Sequence, residues 1–247
     1  MKLSLNTALP APANNQALFI LADNTQLAQI ASTYQINDLE QIAQATQFKA
    51  GFNETLPLLA KIPEFAHATL IGLDKVEDLQ PAKLAKIAQT IIKSSQKKYQ
   101  QIQVDLNALP EALHYLFALS LTQAAYGYDE FKSKKNEFLL NEIGLIAAQS
   151  PLNNSQLSLI QAIQSGQDYA RDLGNRPGNI CFPEYLADQA LALAQQYPEQ
   201  LKVTIINEQE MADLGMFAFL AVSRGSDRPC RIITLEYKGQ PDQAPIV

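Results

Sequence analysis

The chain has 247 residues, of which 47% are hydrophobic and 18% are charged. This composition is typical of a globular protein, and the length allows one large domain or two smaller ones. The formal net charge of -6 disfavours general binding to nucleic acids or anionic membranes. The two cysteines are too few for a disulfide framework or a cysteine-based zinc site, so a reducing cytoplasm is the simplest compartment.

The first fifteen residues, MKLSLNTALPAPANN, contain one lysine and an Ala-Pro-Ala that resembles a cleavage site. Their apolar core is short and is broken by Asn6 and Thr7, so we predict a strand and a loop rather than a signal peptide. No apolar run reaches the length of about eighteen residues that a membrane-spanning helix requires.

Strands and helices alternate over residues 1–150. An apolar run bounded by polar residues predicts a strand at 17–22, and residues 55–62 and 67–74 are predicted to form two strands around a turn. Alternating polar and apolar residues predict a strand at 101–106, and a strand with its exit is predicted at 137–147. Apolar residues at helical spacing predict helices at 24–34, 81–99 and 110–128. The alternation predicts an α/β domain with a mostly parallel sheet flanked by helices.

The starts of these helices carry further information. Asn24 or Thr25 is a candidate cap for the helix at 24–34, and Pro81 is well suited to the first turn of the helix at 81–99. No helix is preceded by a Gly-x-Gly-x-x-Gly or P-loop sequence. The sequence therefore gives no support for a dinucleotide or nucleoside-triphosphate site.

The alternation resumes after Pro151. We predict a long helix over 153–173, a second helix from Pro183, a short helix over 208–214 closed by Gly215, and strands at 201–207 and 231–237. Two or three strands are fewer than a typical sheet contains. We therefore predict an incomplete second α/β domain, and divide the chain into an N-terminal domain (1–150), an inter-domain helix (151–174) and a truncated second domain (175–247).

The final residues, APIV, are apolar and follow a turn, so they are expected to begin a strand. This pattern favours a fragment of a longer protein. The alternative is a frayed terminus after a complete small domain.

Two segments carry a resemblance to a known family. ARDLGNRPGNICFPEYLADQA (170–190) resembles the turn that opens the catalytic domain of leucyl aminopeptidases, the cytosolic two-metal M17-type family. INEQEMADLGMFAFLAVSRGSDRPCRIITLEYKG (206–239) is similar to the segment that follows in that family. The chain departs from the pattern at Gly178, where the family often has another small residue or proline. Over 1–150 the resemblance is weaker, although AGFNETLPLLAKIPEFAHATLIGLD (50–74) fits the family's pair of strands.

The resemblance implies a metal-dependent hydrolase that removes N-terminal amino acids, often leucine, from peptides. Two divalent cations, zinc or manganese, would polarise the scissile carbonyl and activate a bridging water. It also implies a cytoplasmic homo-hexamer. The family's metal-binding segments follow a strand that begins Pro-Ile, and this chain ends at Pro245-Ile246-Val247. We therefore assign no catalytic residue and no metal ligand, leave substrate-binding residues unknown, and expect this chain alone to be inactive and to bind no metal.

The acidic residues after Gly174 agree with that expectation. They occur at predicted helix starts, helix surfaces and turns, and no two form a metal-ligand motif. They are Glu184, Asp188, Glu199, Glu208, Glu210, Asp213, Asp227, Glu236 and Asp242.

The corner at 174–183 has two interpretations. In the structural one, which we prefer, Gly174 ends a helix in a left-handed conformation, Pro177 and Gly178 turn the chain, and Pro183 starts the next helix. This would fix the angle between the inter-domain helix and the catalytic sheet. In the functional one, Asn175, Arg176 or Asn179 lines the mouth of the active site or a subunit contact.

For the histidines, the cysteines and two groups of basic residues, a structural role is simpler than a functional one. His67 and His114 are expected to pack or lie at the surface, and Cys181 and Cys230 are expected to fill a core. Three arginines could hold an anion, but are expected to pair with Asp227 and Glu236; they are Arg224, Arg228 and Arg231. Six lysines could form a basic patch, but are expected to be a solvated helix end and loop; they are Lys93, Lys97, Lys98, Lys132, Lys134 and Lys135.

Two functional hypotheses follow. In the preferred one, the chain is the N-terminal domain and the start of the catalytic domain of a leucyl aminopeptidase. In the alternative, it is a complete non-catalytic binding or regulatory protein that shares the family's front half. Some bacterial members of the family also bind DNA, so the alternative includes a protein with a nucleic-acid-linked role.

Overall fold

The computed structural model describes residues 1–11 and 15–239, and the chain divides into two compact units, Met1–Tyr169 and Ala170–Val247. Each unit has its own sheet. No helix within the described residues is long and apolar enough to cross a lipid bilayer.

The first unit is built on a six-stranded sheet. Its strands are β1 (Lys2–Asn6), β2 (Gln16–Ala22), β3 (Thr55–Ile62), β4 (Phe65–Gly72), β5 (Gln101–Asp105) and β6 (Glu142–Ile146). They lie in the order β1-β6-β5-β2-β4-β3, and every neighbouring pair is parallel except the antiparallel pair of β3 and β4. Helices cover both faces, so the predicted α/β fold with a mostly parallel sheet is confirmed.

The helices follow the strands in chain order. They are α1 (Leu27–Thr33), α2 (Leu39–Thr46), α3 (Pro81–Ser95), α4 (His114–Ala124) and α5 (Asn154–Asn175). One face of the sheet packs against α3, α4 and the first part of α5, and the other face packs against α1 and α2. The strand side chains alternate between these two hydrophobic cores, as the pleat of a strand requires.

Helix α3 illustrates why this sequence folds as predicted. Pro81 lies in the first turn, where its missing N–H breaks no hydrogen bond of the helix. Leu84, Ile87 and Ile91 recur at helical spacing and are fully buried against the sheet. Burying each of these side chains stabilises the fold by about 1.5–3 kcal/mol relative to leaving it exposed.

Several boundaries differ from the prediction. Helix α1 begins at Leu27 without a side-chain cap, and Thr25 instead donates from its backbone N–H and its hydroxyl to the Asp23 carboxylate. Helix α2 was not predicted. The predicted helix at 110–128 is shorter, because Glu111–Leu113 form a 3-10 turn and α4 ends at Ala124.

The second unit contains a two-stranded antiparallel sheet of β7 (Leu201–Ile206) and β8 (Ile232–Tyr237). Its helices are α6 (Pro183–Gln196), α7 (Glu208–Asp213) and α8 (Phe217–Ser223), of which α8 was not predicted. Asn207 caps α7 through a reciprocal capping box with Glu210. Gly215 closes α7 with a φ of 74°, as predicted for a glycine after a helix. The predicted strand at 244–247 lies outside the described residues.

Candidate functional site

The corner at 174–183 is a turn, but it does not begin at a left-handed glycine. Helix α5 continues to Asn175, so Gly174 is helical and our prediction of a left-handed Gly174 is wrong. The chain turns after Arg176, where the Pro177 carbonyl accepts hydrogen bonds from the N–H groups of Ile180 and Cys181 at 2.9 Å each. Pro183 then occupies the first turn of α6, as predicted.

The residues proposed for a functional role at this corner lie at the surface of the second unit. Asn175 and Asn179 are exposed, and Arg176 is partly buried. The Arg176 guanidinium lies 5.4 Å from the centre of the Tyr185 ring, a cation–π distance that links the turn to α6. The functional interpretation of these residues stays a prediction.

Arg231 and Arg228 have other partners than expected. The Arg231 guanidinium donates to the Glu184 carboxylate at 2.9 Å. The Arg228 guanidinium lies 4.3 Å from the centre of the Phe182 ring. Glu236, which we expected to pair with an arginine, instead lies 3.6 Å from the Lys202 ammonium on the neighbouring strand. The contacts of Arg231 and Arg228 connect the segment before β8 with the start of α6.

The acidic residues after Gly174 do not converge. All eight that the structure describes are exposed; they are Glu184, Asp188, Glu199, Glu208, Glu210, Asp213, Asp227 and Glu236. Glu208 accepts from the Cys230 N–H at 3.1 Å, and Glu210 belongs to the capping box of α7. Within residues 1–11 and 15–239, no group of three or more His, Cys, Asp or Glu side chains is placed to hold a metal ion.

The histidines and cysteines have local contacts. His114 is buried, and its ring nitrogens contact the Ser150 hydroxyl and the Leu109 carbonyl oxygen, each at 2.9 Å. His67 is exposed and packs beside the Tyr99 ring. Cys181 and Cys230 are free and only half-buried, so they fill a core less completely than we expected.

The six lysines that could have formed a basic patch are all exposed, as expected for a solvated helix end and loop. The Lys97 ammonium lies 3.2 Å from the side-chain oxygen of Asn136, next to the loop that carries Lys132, Lys134 and Lys135. The segment that carries Lys93, Lys97 and Lys98 therefore lies beside this loop in the first unit.

The first unit also has a cleft that sequence analysis did not identify. It has a volume of about 400 Å³ and opens at the carboxyl ends of β2 and β5. Helix α1 and the 3-10 turn before α4 form its walls, with side chains from the segment that follows β6.

A buried carboxylate, Asp105, lies at the base of this cleft. Its Oδ2 accepts a hydrogen bond of 2.5 Å from the Tyr34 hydroxyl, and its Oδ1 accepts from the backbone and side-chain N–H groups of Asn107. Burial raises the pKa of Asp105, and the hydrogen bonds from Tyr34 and Asn107 oppose that rise. Burial and the nearby Asp105 carboxylate raise the pKa of the Tyr34 phenol, which therefore stays a donor at neutral pH.

Part of this cleft could have been anticipated. Asp105 ends a strand whose other residues are apolar or amides, and an acid at the carboxyl end of a parallel strand is a recognised ligand position. Tyr34 could not be paired with it, because the two residues are 71 positions apart in the sequence.

Comparisons with known proteins identify the family. The family model described as "Cytosol aminopeptidase family, N-terminal domain" matches residues 18–135, and the model described as "Cytosol aminopeptidase family, catalytic domain" matches residues 168–247. The first unit is thus matched by the N-terminal module of a two-domain α/β enzyme family, and the second unit by its catalytic module. The chain belongs to the cytosol aminopeptidase family.

Curated relatives agree over the whole chain. A probable cytosol aminopeptidase of Acinetobacter baumannii (strain ATCC 17978) is 63% identical over 247 residues, which are 100% of this chain and 51% of the relative. The corresponding protein of Acinetobacter baylyi is 61% identical with the same coverage. The chain therefore spans about half the length of these relatives, and covers the N-terminal domain and the first part of the catalytic domain.

A solved structure supports the fold. A mutant of tomato leucine aminopeptidase matches 99% of this chain and 52% of its own length, with a TM-score of 0.81 and 19% sequence identity. At that identity the similarity shows a shared fold and no more.

Proposed function

We propose that this chain forms the N-terminal domain and the first part of the catalytic domain of a metal-dependent leucyl aminopeptidase, a hydrolase that removes N-terminal amino acids from peptides. The observation that carries the proposal is the 63% identity along all 247 residues to a protein named probable cytosol aminopeptidase. The names of the relatives also support a cytoplasmic location. Peptide substrates and a homo-hexameric assembly belong to the same proposal and derive from the family resemblance.

The proposed domain organisation is an N-terminal domain at 1–150, an inter-domain helix at 151–174 and the first part of the catalytic domain at 175–247. Support comes from α5, a helix of 22 residues that begins close to the first boundary and ends close to the second. The division into two compact units falls within this helix, at Tyr169 and Ala170.

The proposed cofactor is a pair of divalent cations, zinc or manganese. Such a pair polarises the scissile carbonyl and activates a water as nucleophile. The described residues do not fit this cofactor, because two such cations need several convergent carboxylate, imidazole or thiolate ligands, no group of three among residues 1–11 and 15–239 is placed to supply them, and the acids of the second unit are exposed and dispersed. We therefore derive no catalytic step from these residues. The metal ligands are proposed to lie in the half of the relatives' length that this chain does not span.

The surface of the second unit supports a larger catalytic domain. Helix α8 and strand β8 expose large apolar side chains to an extent unusual for a finished domain surface. These residues and their exposed fractions are Phe217 67%, Phe219 57%, Val222 87%, Leu235 48% and Tyr237 74%. Further polypeptide packed over them would remove this apolar surface from water.

The experiment compares two products of the same gene: the 247-residue chain and the product of the reading frame extended beyond Val247 to the length of the relatives. Hydrolysis of leucine-p-nitroanilide is measured with added manganese or zinc. We expect turnover only from the longer product, and loss of that turnover after chelation. An inactive longer product of verified sequence and metal content would contradict the proposed reaction.

The alternative hypothesis, a non-catalytic binding or regulatory protein, is not favoured. The relatives that match the chain over its whole length are named as aminopeptidases.

A further inference from the structure

We propose that the cleft at the carboxyl ends of β2 and β5 binds a small organic cation, a compound with an ammonium or guanidinium group on an apolar stem. This site belongs to the N-terminal domain. It is independent of the peptidase reaction, and the proposal does not rest on the proposed function.

The position of the cleft in the fold is the first support. From β2 the chain continues through α1 and α2 to strands on one side of the sheet, and from β5 it continues through α4 to β6 on the other side. The crevice between β2 and β5 is therefore a topological switch point. In open parallel sheets, ligands bind outside the carboxyl ends of the strands at such a point. A volume of about 400 Å³ suits a small molecule.

The polar groups of the cleft determine the sign of the ligand's charge. Asp105 and Glu111 contribute two carboxyl groups, and the described residues that line the cleft include neither lysine nor arginine. His114 does not offer a free ring N–H, because both ring nitrogens contact Ser150 and Leu109. An anion such as a phosphate would therefore meet negative charge without a compensating cation.

Hydrogen-bonding capacity points in the same direction. The side-chain oxygen of Gln26 is buried and has no hydrogen-bond partner in the part of the chain that the structure describes. Asp105 Oδ2 accepts a hydrogen bond from the Tyr34 hydroxyl, which leaves one of its acceptor positions for a ligand. The Glu111 carboxylate lies at the exposed rim. The amides and hydroxyl of Gln29, Thr33 and Gln149 can accept or donate, whereas the two carboxylates only accept. A ligand that brings N–H donors therefore fits this set, and ammonium and guanidinium groups carry donors and positive charge together.

Apolar side chains complete the site. Ile30 and Leu109 belong to the buried residues of the domain and also line the cleft. They offer a surface for an aliphatic stem. The ligand class is therefore a short amine or guanidine rather than a bare inorganic cation.

The test is calorimetric titration of agmatine, which has a guanidinium and an ammonium on a four-carbon stem, into the 247-residue chain at pH 7 and low ionic strength. We expect saturable 1:1 binding that weakens as salt is added. Inorganic phosphate, titrated under the same conditions, is expected not to bind.

Variants locate the binding. Glu111→Gln removes an exposed carboxylate and is expected to weaken agmatine binding about fivefold, the effect of losing one partly exposed charge contact. Asp105→Asn removes the buried carboxylate and is expected to weaken binding more than Glu111→Gln does. Glu64→Gln is the matched control, because Glu64 is exposed in the turn before β4, at the opposite end of the strands. It should leave agmatine affinity unchanged.

Three results would overturn the proposal. One is no binding of agmatine at millimolar concentration. Another is an agmatine affinity that is the same in the Glu111→Gln and Glu64→Gln variants. The third is saturable binding of phosphate that competes with agmatine. If Asp105→Asn does not fold, the comparison of the two exposed glutamates still decides the outcome.

Discussion

Replacing Gly72 by alanine tests how closely the end of β4 packs against a neighbouring turn. A Cβ at Gly72 would overlap the carbonyl oxygen of Gly51 and lie 2.5 Å from the carbonyl carbon of Ala50. Both obstacles are backbone atoms, which no rotamer change can move. Ala50 is fully buried and has a left-handed φ of 54°, so the turn has little freedom to adjust.

Three backbone hydrogen bonds hold this turn against the end of β4. The N–H of Gly72 donates to the Glu54 carbonyl at 2.8 Å, the N–H of Asn53 donates to the Gly72 carbonyl at 2.8 Å, and the N–H of Asp74 donates to the Ala50 carbonyl at 2.9 Å. A shift that makes room for a methyl group would break two of them, at about 1 kcal/mol each. Overpacking adds about 1–3 kcal/mol, so we expect Gly72→Ala to lower the unfolding free energy by about 3–5 kcal/mol.

The assay is thermal and urea unfolding of the 247-residue chain, followed by circular dichroism. A loss of that size corresponds to a fall in Tm of about 6–20 °C. The matched control is Gly166→Ala in α5, where an added Cβ meets no atom within 4 Å. This control should stabilise the helix by up to about 1 kcal/mol, because alanine has the higher helix propensity. A Gly72→Ala variant as stable as the control would refute the packing account.

Further predictions concern three other side chains. Tyr34→Phe leaves the buried Asp105 carboxylate without its hydroxyl donor and should cost about 1–3 kcal/mol of unfolding free energy in urea titrations, whereas Tyr197→Phe, at a residue that is 54% exposed, should cost almost nothing. Burial raises the pKa of Asp105 above its ordinary value of 3.8. Between pH 3.8 and the raised pKa, this carboxyl group is therefore protonated in the folded state but ionised in the unfolded state. The unfolding free energy should therefore fall as pH rises from 3.8 to the raised pKa, and Asp105→Asn should remove this fall; an unchanged pH profile in that variant would contradict the assignment. Asn207→Ala removes the cap of α7 and should destabilise the second unit by about 1 kcal/mol, seen as faster amide exchange in 208–213, and unchanged exchange would exclude a stabilising cap.

The sequence predicted those helices and strands whose apolar residues form a recognisable pattern within the segment itself. Strands β2, β3, β4 and β5 were located to within two residues, because each has a short apolar or alternating pattern between polar residues, whereas β6 begins only at Glu142 within the segment predicted at 137–147. Helix α3 was predicted because its apolar stripe and Pro81 act together. Helices α2 and α8 were missed. Helix α2 spans only eight residues, so its apolar face of Leu39, Ile42 and Ala43 is too short to stand out in the sequence, and α8 is seven residues of nearly continuous apolar sequence without a helical period.

The error at Gly174 has a similar cause. A glycine before an Asn-Arg-Pro-Gly turn suggests a helix end, but Pro177 restricts only the residue before it, so α5 continues through Asn175. The cleft at β2 and β5 was missed because it depends on sheet order, which sequence periodicity does not give. Asp105 and Tyr34 become neighbours only when β5 lies beside β2.

The central claim is that the oxygen ligands of the proposed cation pair lie outside these 247 residues. Metal content after equilibrium dialysis against manganese or zinc tests it most directly, with the 247-residue chain and the longer gene product measured side by side. We expect close to two ions per chain in the longer product and no stoichiometric ion in the 247-residue chain. Two tightly held ions in the 247-residue chain alone would contradict the account.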